Sequence, residues 1–354
     1  MQKHEHRDKT VAQIISELKN ATPDQIEPYL YHDDVYLRMI LAGMPQLTED
    51  QVKRLAQDET GGIRIAISSR SDLPLELQHH LANDVLRVKE ALAKNHTVSP
   101  LILERLYQES IDSVLASIAT NPNCSVDLQL RLASSGRSDV LLALAKRRDM
   151  EPGLGRVLFD ILSANASEHD PVEIHKTPVA FLAHNPKTPP DLLASLASND
   201  QFKPQVRTFI EQALLDNPGA PQELLRTLRS QYLRGNAKYR SALASTQHTP
   251  LPMLIRLASK DSTTKVRQDA KSTLQRMPDH IIETQLSSGA FSLNHTIGRG
   301  TNKRTLGDCL LGMEMLALYQ RIQGMELNRS IESVLQAIPA GLATPTSSAR
   351  HRML

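Results

Sequence analysis

The chain has 354 residues, with 41 Lys or Arg against 39 Asp or Glu and a formal charge of +2 at neutral pH. Hydrophobic residues make up 40%, yet aromatics are only 3% and Trp is absent, which suits many thin layers of short aliphatic side chains better than one thick core. Two isolated cysteines, Cys124 and Cys309, indicate neither a disulfide framework nor a cysteine metal site, and a polar N-terminus with no long apolar run points to a cytoplasmic protein without a membrane span.

In chain order, residues 1–32 read as N-terminal capping helices, opening with a helix over 10–19. Residues 33–289 then read as about nine helical repeats. Asn185-Pro186-Lys187-Thr188-Pro189-Pro190-Asp191-Leu192-Leu193 runs into Leu196-Ala197, and ungapped echoes occur at 246–258 (TQHTPLPMLIRLA), 121–133 (NPNCSVDLQLRLA) and 95–107 (NHTVSPLILERLY). A recurrence of this length means one small helical unit stacked many times. The anchor leucines fall at Leu55, Leu81, Leu106, Leu132, Leu158, Leu196, Leu228, Leu257 and Leu286, first 25 or 26 residues apart, then 38, 32, 29 and 29. Longer helices or loops are therefore expected in the second half.

Each unit has a first helix, a break at Asn-Pro or its relic, and a second helix opened by Thr-Pro or Ser-Pro. Asn is expected to end the first helix in a left-handed conformation. The hydroxyl is expected to cap the second, with Pro in its first turn. Neither helix is long enough to stand alone, so burial between units must supply the stability. After the repeats, 290–304 reads as a loop, and 305–323 and 325–338 as two amphipathic helices. Together, 290–338 form a loop and C-terminal helical cap, and 339–354 a disordered tail.

The pattern Ala-x-Asn-Pro-x-Thr-Pro-x-x-Leu-Leu-x-x-Leu-Ala resembles the leucine-rich repeat variant, a bacterial solenoid of alternating helices. The longer units, such as 206–228, also resemble HEAT repeats. This resemblance covers roughly residues 33–289. It implies an all-α fold: an α-solenoid, a right-handed superhelix of such repeats with a C-terminal helical cap. It implies little about function, since such arrays bind unrelated partners. Some members add a cysteine-ligated iron-sulfur domain, from which this chain departs.

No hydrolase, zinc-protease, nucleotide or dinucleotide motif is present, so no enzyme, cofactor or metal is expected. His4, His6, His79, His80 and His169 read as solvated side chains. The charge distribution is more informative. Residues 226–276 hold eleven Lys or Arg and two acids, Asp261 and Asp269, for a formal +9, whereas residues 1–225 carry 23 bases and 31 acids. The cations are Arg226, Arg229, Arg234, Lys238, Arg240, Arg256, Lys260, Lys265, Arg267, Lys271 and Arg276. Stacked repeats place equivalent positions in rows, so these are expected to form one basic binding patch. Arg299, Lys303 and Arg304 extend it, in a Gly-rich stretch able to cradle a phosphate. A second row precedes the anchors: Arg54, His80, Arg105, Arg131 and Arg256. Its members are expected to lay their stems over neighbouring helices, with acids such as Glu104, Asp50 and Asp127 close by.

The expected role is a scaffold that binds a protein partner, an acidic surface or peptide, at the basic C-terminal repeats. The alternative is a nucleic-acid binder gripping the phosphate backbone through residues 226–304. Against it, only Tyr232 and Tyr239 lie in the basic stretch 226–276 to stack on bases. A DNA glycosylase built on HEAT-like repeats would use a Trp that this chain lacks. The charge asymmetry also permits head-to-tail self-association.

Overall fold

The computed structural model describes residues 10–165, 177–297 and 303–337. The fold is all-helical, and the chain divides into two compact units, Met1–Ala213 and Leu214–Leu354. The expected 339–354 tail lies outside the described residues.

Unit 1 opens with α1 (Val11–Leu18), α2 (Pro23–Ile26) and a 3-10 turn at Glu27–Tyr31. Helix pairs follow: α3 (Val35–Ala42) with α4 (Glu49–Leu55), α5 (Gly61–Ser68) with α6 (Leu75–Leu81), and α7 (Leu86–Lys94) with α8 (Pro100–Gln108). Then come α9 (Asp112–Thr120) and α10 (Val126–Ser134), α11 (Ser138–Ala145) and α12 (Pro152–Ala164), and α13 (Pro178–His184) and α14 (Pro190–Ser198). The division between units falls within α15 (Pro204–Leu215). Unit 2 contains α16 (Gln222–Arg234), α17 (Ala237–Ser245), α18 (Leu251–Lys260), α19 (Thr264–Gln275), α20 (Asp279–Ser287), α21 (Leu306–Gly312) and α22 (Leu316–Ala337).

In unit 1 the odd-numbered helices α3 to α13 pack side by side in chain order, and α10, α12 and α14 form a second row. All nine anchor leucines are buried, none more than 4% exposed. Some later helices are longer, with 12, 13 and 12 residues in α15, α16 and α19, while α13 has only 7.

The Asn of Asn-Pro does something other than end a helix in a left-handed conformation. Asn95, Asn121 and Asn185 are extended, with φ of −66°, −73° and −72°. Each turns its side chain back onto the preceding unit. Asn95 Nδ2 donates to Ser68 O and Arg70 O at 2.9 and 2.7 Å, and Asn121 Nδ2 to Ala93 O and Asn95 O at 2.7 and 2.8 Å. Asn185 Nδ2 reaches Ala145 O and Arg147 O at 2.8 and 2.7 Å. The last carbonyls of a helix have no partner within it, so each unit supplies the donors that satisfy its predecessor. The amide oxygen meanwhile accepts from the N–H two residues on, from Thr97, Asn123 and Lys187.

Two rungs of this ladder are arginines. Arg70 Nη1 donates to Ala42 O and Met44 O, and Arg147 Nη1 to Ala119 O and Asn121 O, all between 2.7 and 2.9 Å. An acid two residues on accepts from the rest of the group: Asp72 from Nε and Nη2 of Arg70, and Asp149 from Nη2 of Arg147, whose buried Nε has no acceptor among the described residues. Arg-x-Asp therefore replaces Asn, with the carboxylate balancing the charge that a buried guanidinium brings. The ladder also survives the 38-residue step between Arg147 and Asn185.

Three further expectations change. Ser99 does cap α8, but Thr188 and Thr249 lie one residue before the N-caps, Pro189 and Pro250. Their buried hydroxyls donate backwards, to Leu182 O at 2.6 Å and Leu243 O at 2.8 Å. Within the 290–304 stretch, Thr296–Ile297 pairs antiparallel with Arg304–Thr305. The C-terminal helices break at Met313–Met315, where Glu314 has φ of +63°, and α22 continues through Gly324.

Candidate functional site

The charge asymmetry follows the structural division. Residues 1–213 carry 23 Lys or Arg and 29 Asp or Glu, whereas residues 214–354 carry 18 and 10. The excess cations of unit 2 do not share one helix row. Arg226, Arg229 and Arg234 ride on α16, and Arg256 and Lys260 on α18. Lys238 and Arg240 ride on α17, and Lys265, Arg267 and Lys271 on α19, with Arg276 as its C-cap. Lys303 precedes β2 (Arg304–Thr305), which begins at Arg304, and both are exposed. Arg299, most of the Gly298–Arg304 phosphate-cradle stretch, His4, His6 and His169 lie outside the described residues.

Several of these cations are committed to the fold. Arg240 Nε and Nη2 grip Asp261 at 2.7 and 3.2 Å, and Nη1 donates to Gly235 O at 2.7 Å. Unit 1 contains the same clamp twice. Arg38 grips Asp58 and donates to His32 O, and Arg64 grips Asp84 and donates to Asp58 O. In each case the Arg is the fourth residue of an odd-numbered helix and the Asp lies 20 or 21 residues on. Arg267 occupies the same helical position, and its Nη1 donates to Asp261 O at 2.6 Å. Lys265 pairs with Asp269 at 2.8 Å, and Arg226 with Glu223 at 2.5 Å.

Burial alone would push the carboxyls of Asp58, Asp84 and Asp261 up. The guanidinium and backbone N–H hydrogen bonds outweigh it and hold all three below the usual Asp value. They are ionised at neutral pH and act as inter-unit fasteners.

The remaining cations lack such partners. Both acids of the 226–276 segment are taken, Asp261 by Arg240 and Asp269 by Lys265 and Ser241. Among the described residues, Arg234, Lys238, Arg256, Lys260 and Lys271 have no salt-bridging carboxylate, and all but half-buried Lys271 are exposed. Among the described residues the Arg276 side chain donates only to Ser272 O. Arg229 is half-buried and also has no carboxylate: Nη2 donates to His248 O at 2.8 Å, and buried Nε has no acceptor. Burial pushes its pKa down, the sign of a desolvated charge without a counter-ion.

The second row behaves as the stem-over-helix expectation has it for two members. The guanidinium carbons of Arg54 and Arg131 lie 5.2 and 4.5 Å from the ring centres of Tyr31 and Tyr107. Arg54 bridges to Glu27, and Arg131 to Glu104 and Asp127. Arg105 reaches Asn83. Arg256, the row's last member, has no such neighbour among the described residues.

The Arg–Asp clamp escaped sequence reading because net charge counts Arg240 and Arg234 alike. The available signal was positional, an Arg at the fourth residue of a first helix with an Asp about one repeat later. Among the described residues no group of three His, Cys, Asp or Glu could hold a metal ion, and no helix is long and apolar enough to cross a membrane. No protein-family model matches the chain, and no curated protein matches it either.

Proposed function

We propose that this chain is a non-catalytic scaffold, an α-solenoid of LRV- or HEAT-like units, that binds an acidic protein surface through the helices of unit 2. One observation carries the reading: every acid of the 226–276 segment is already paired, leaving Arg229, Arg234, Lys238, Arg256, Lys260 and Lys271 without carboxylates among the described residues. Unpaired surface cations repel one another unless a complementary surface meets them, and they speed its capture by long-range attraction.

The division of these cations between α16 and α18 on one hand and α17 and α19 on the other favours a protein over a duplex. A phosphate backbone is met by a continuous track of cations. The repeat geometry supports the solenoid reading through the side-by-side helices and the Asn ladder of unit 1. The test is co-purification from a native lysate with and without nuclease. A partner retained after nuclease, and lost when Arg234, Lys238, Arg256 and Lys260 are all changed to Glu, supports the reading. A partner released by nuclease overturns it. Arg240 and Arg267 are unsuitable for such a variant, since each holds the fold.

A further inference from the structure

The last helix, α22 (Leu316–Ala337), has two dissimilar halves. Its first half is packed: Leu318 and Ile322 are buried, Arg321 bridges to Asp279, and Glu326 accepts from Leu293 N. From 327 to 336 every residue is exposed. This segment nevertheless carries Leu327, Ile331, Val334 and Leu335, which are 59%, 49%, 62% and 62% exposed. At about 100° per residue these four fall within an arc of about 100°, while Arg329, Glu332 and Gln336 lie on the opposite side. The spacing Leu327, Ile331, Val334 is that of a coiled-coil seam. A helical segment this short gains little from its own hydrogen bonds in water, so something must cover the seam.

We propose that a second copy of this chain covers it, the two α22 seams packing against each other to form a homodimer. The flanks of the seam are Asn328 and Ser330, and the only charges from 327 to 337 are Arg329 and Glu332, both on the far side. Two identical helices therefore meet without like-charge repulsion, whereas a different helix selected by charge would face charged flanks. An anionic lipid surface is disfavoured for the same reason, because a membrane-lying helix carries several cations on its polar face. Residues 338–354 hold Ile338, Leu342, Met353 and Leu354 as large apolar groups, spaced too unevenly to form a matching helical seam. The contact differs from charge-driven head-to-tail association: it is isologous, closes at two copies and is insensitive to salt.

The experiment is sedimentation equilibrium on the full chain across a range of protein concentrations, at low and high salt. The expected result is a concentration-dependent rise to twice the monomer mass, retained at high salt. The variant Leu327→Gln, Ile331→Lys, Leu335→Gln should stay monomeric at every concentration, with an unchanged circular dichroism spectrum, since all three residues are exposed in the single chain. A monomeric wild type overturns the proposal, as does a dimer that the variant forms equally well. Association lost at high salt, or growing beyond two copies, also overturns it. A single point substitution, Ile331→Lys, gives the same reading should the triple variant fold poorly.

Discussion

Removing one rung of the Asn ladder measures what holds successive units together. Asn95 is 5% exposed, and its amide donates to Ser68 O at 2.9 Å and Arg70 O at 2.7 Å. Among the described residues neither carbonyl has another backbone donor. Asn95→Ala strands both, at a typical penalty of about 1–3 kcal/mol for each buried group left unpaired. Thr97, which donates both its N–H and its hydroxyl to Asn95 Oδ1, is exposed and able to turn to water, so its loss adds little. A destabilisation of about 2–4 kcal/mol is expected, read as a drop in the urea midpoint by circular dichroism. Arg70-x-Asp72 and Arg147-x-Asp149 specify the rescue. The double variant Asn95→Arg, Thr97→Asp should recover most of the lost midpoint, whereas Asn95→Arg alone should recover little, because its buried charge lacks the carboxylate. A midpoint shift for Asn95→Ala equivalent to less than about 0.5 kcal/mol, within the range of an ordinary surface change, would refute the ladder's structural role.

The clamp carboxyls give a pH dependence of definite sign. Asp58, Asp84 and Asp261 are held below their ordinary value, so their stabilisation is present above the unfolded Asp pKa of about 3.9 and is lost as pH falls through the folded values. Thermal midpoints should therefore drop steeply below about pH 4, and Asp58→Asn should lower the midpoint at pH 7 while flattening that acid limb. A wild-type midpoint constant down to pH 3 would contradict the clamps. Cys124 is 3% exposed, and burial pushes its thiol up to about 12. It should resist iodoacetamide at pH 8 in the native chain and react once urea unfolds it, as mass spectrometry of the labelled peptide would show.

The helical units were legible because their signals are periodic and local. The nine Leu anchors mark buried positions directly, and Pro100 and Pro190 mark helix starts. The inter-unit chemistry was only half visible. Asn121 was recognisable as a break, but its amide acts on a carbonyl 28 residues earlier, and no local rule exposes that. Thr188 and Thr249 look like caps until the following Pro shifts the helix start by one residue and frees the hydroxyl to point backwards. Gly324 looked like a break in the last helix because its intrinsic propensity is poor, yet packing of Leu318 and Ile322 carries α22 through it. For the candidate site, counting charges overcounted the free cations. Arg240 and Arg267 are bound up in hydrogen bonds that only the three-dimensional partners reveal.

The most direct test of the central claim is fluorescence anisotropy of a labelled glutamate-rich peptide titrated with the full chain at two salt concentrations. A labelled duplex of similar charge serves as the comparison. The account predicts peptide binding that weakens with salt and falls ten-fold or more when Arg234, Lys238, Arg256 and Lys260 are changed to Glu, with the melt unchanged. Equal binding by wild type and variant, or tight binding of the duplex with none of the peptide, would contradict it.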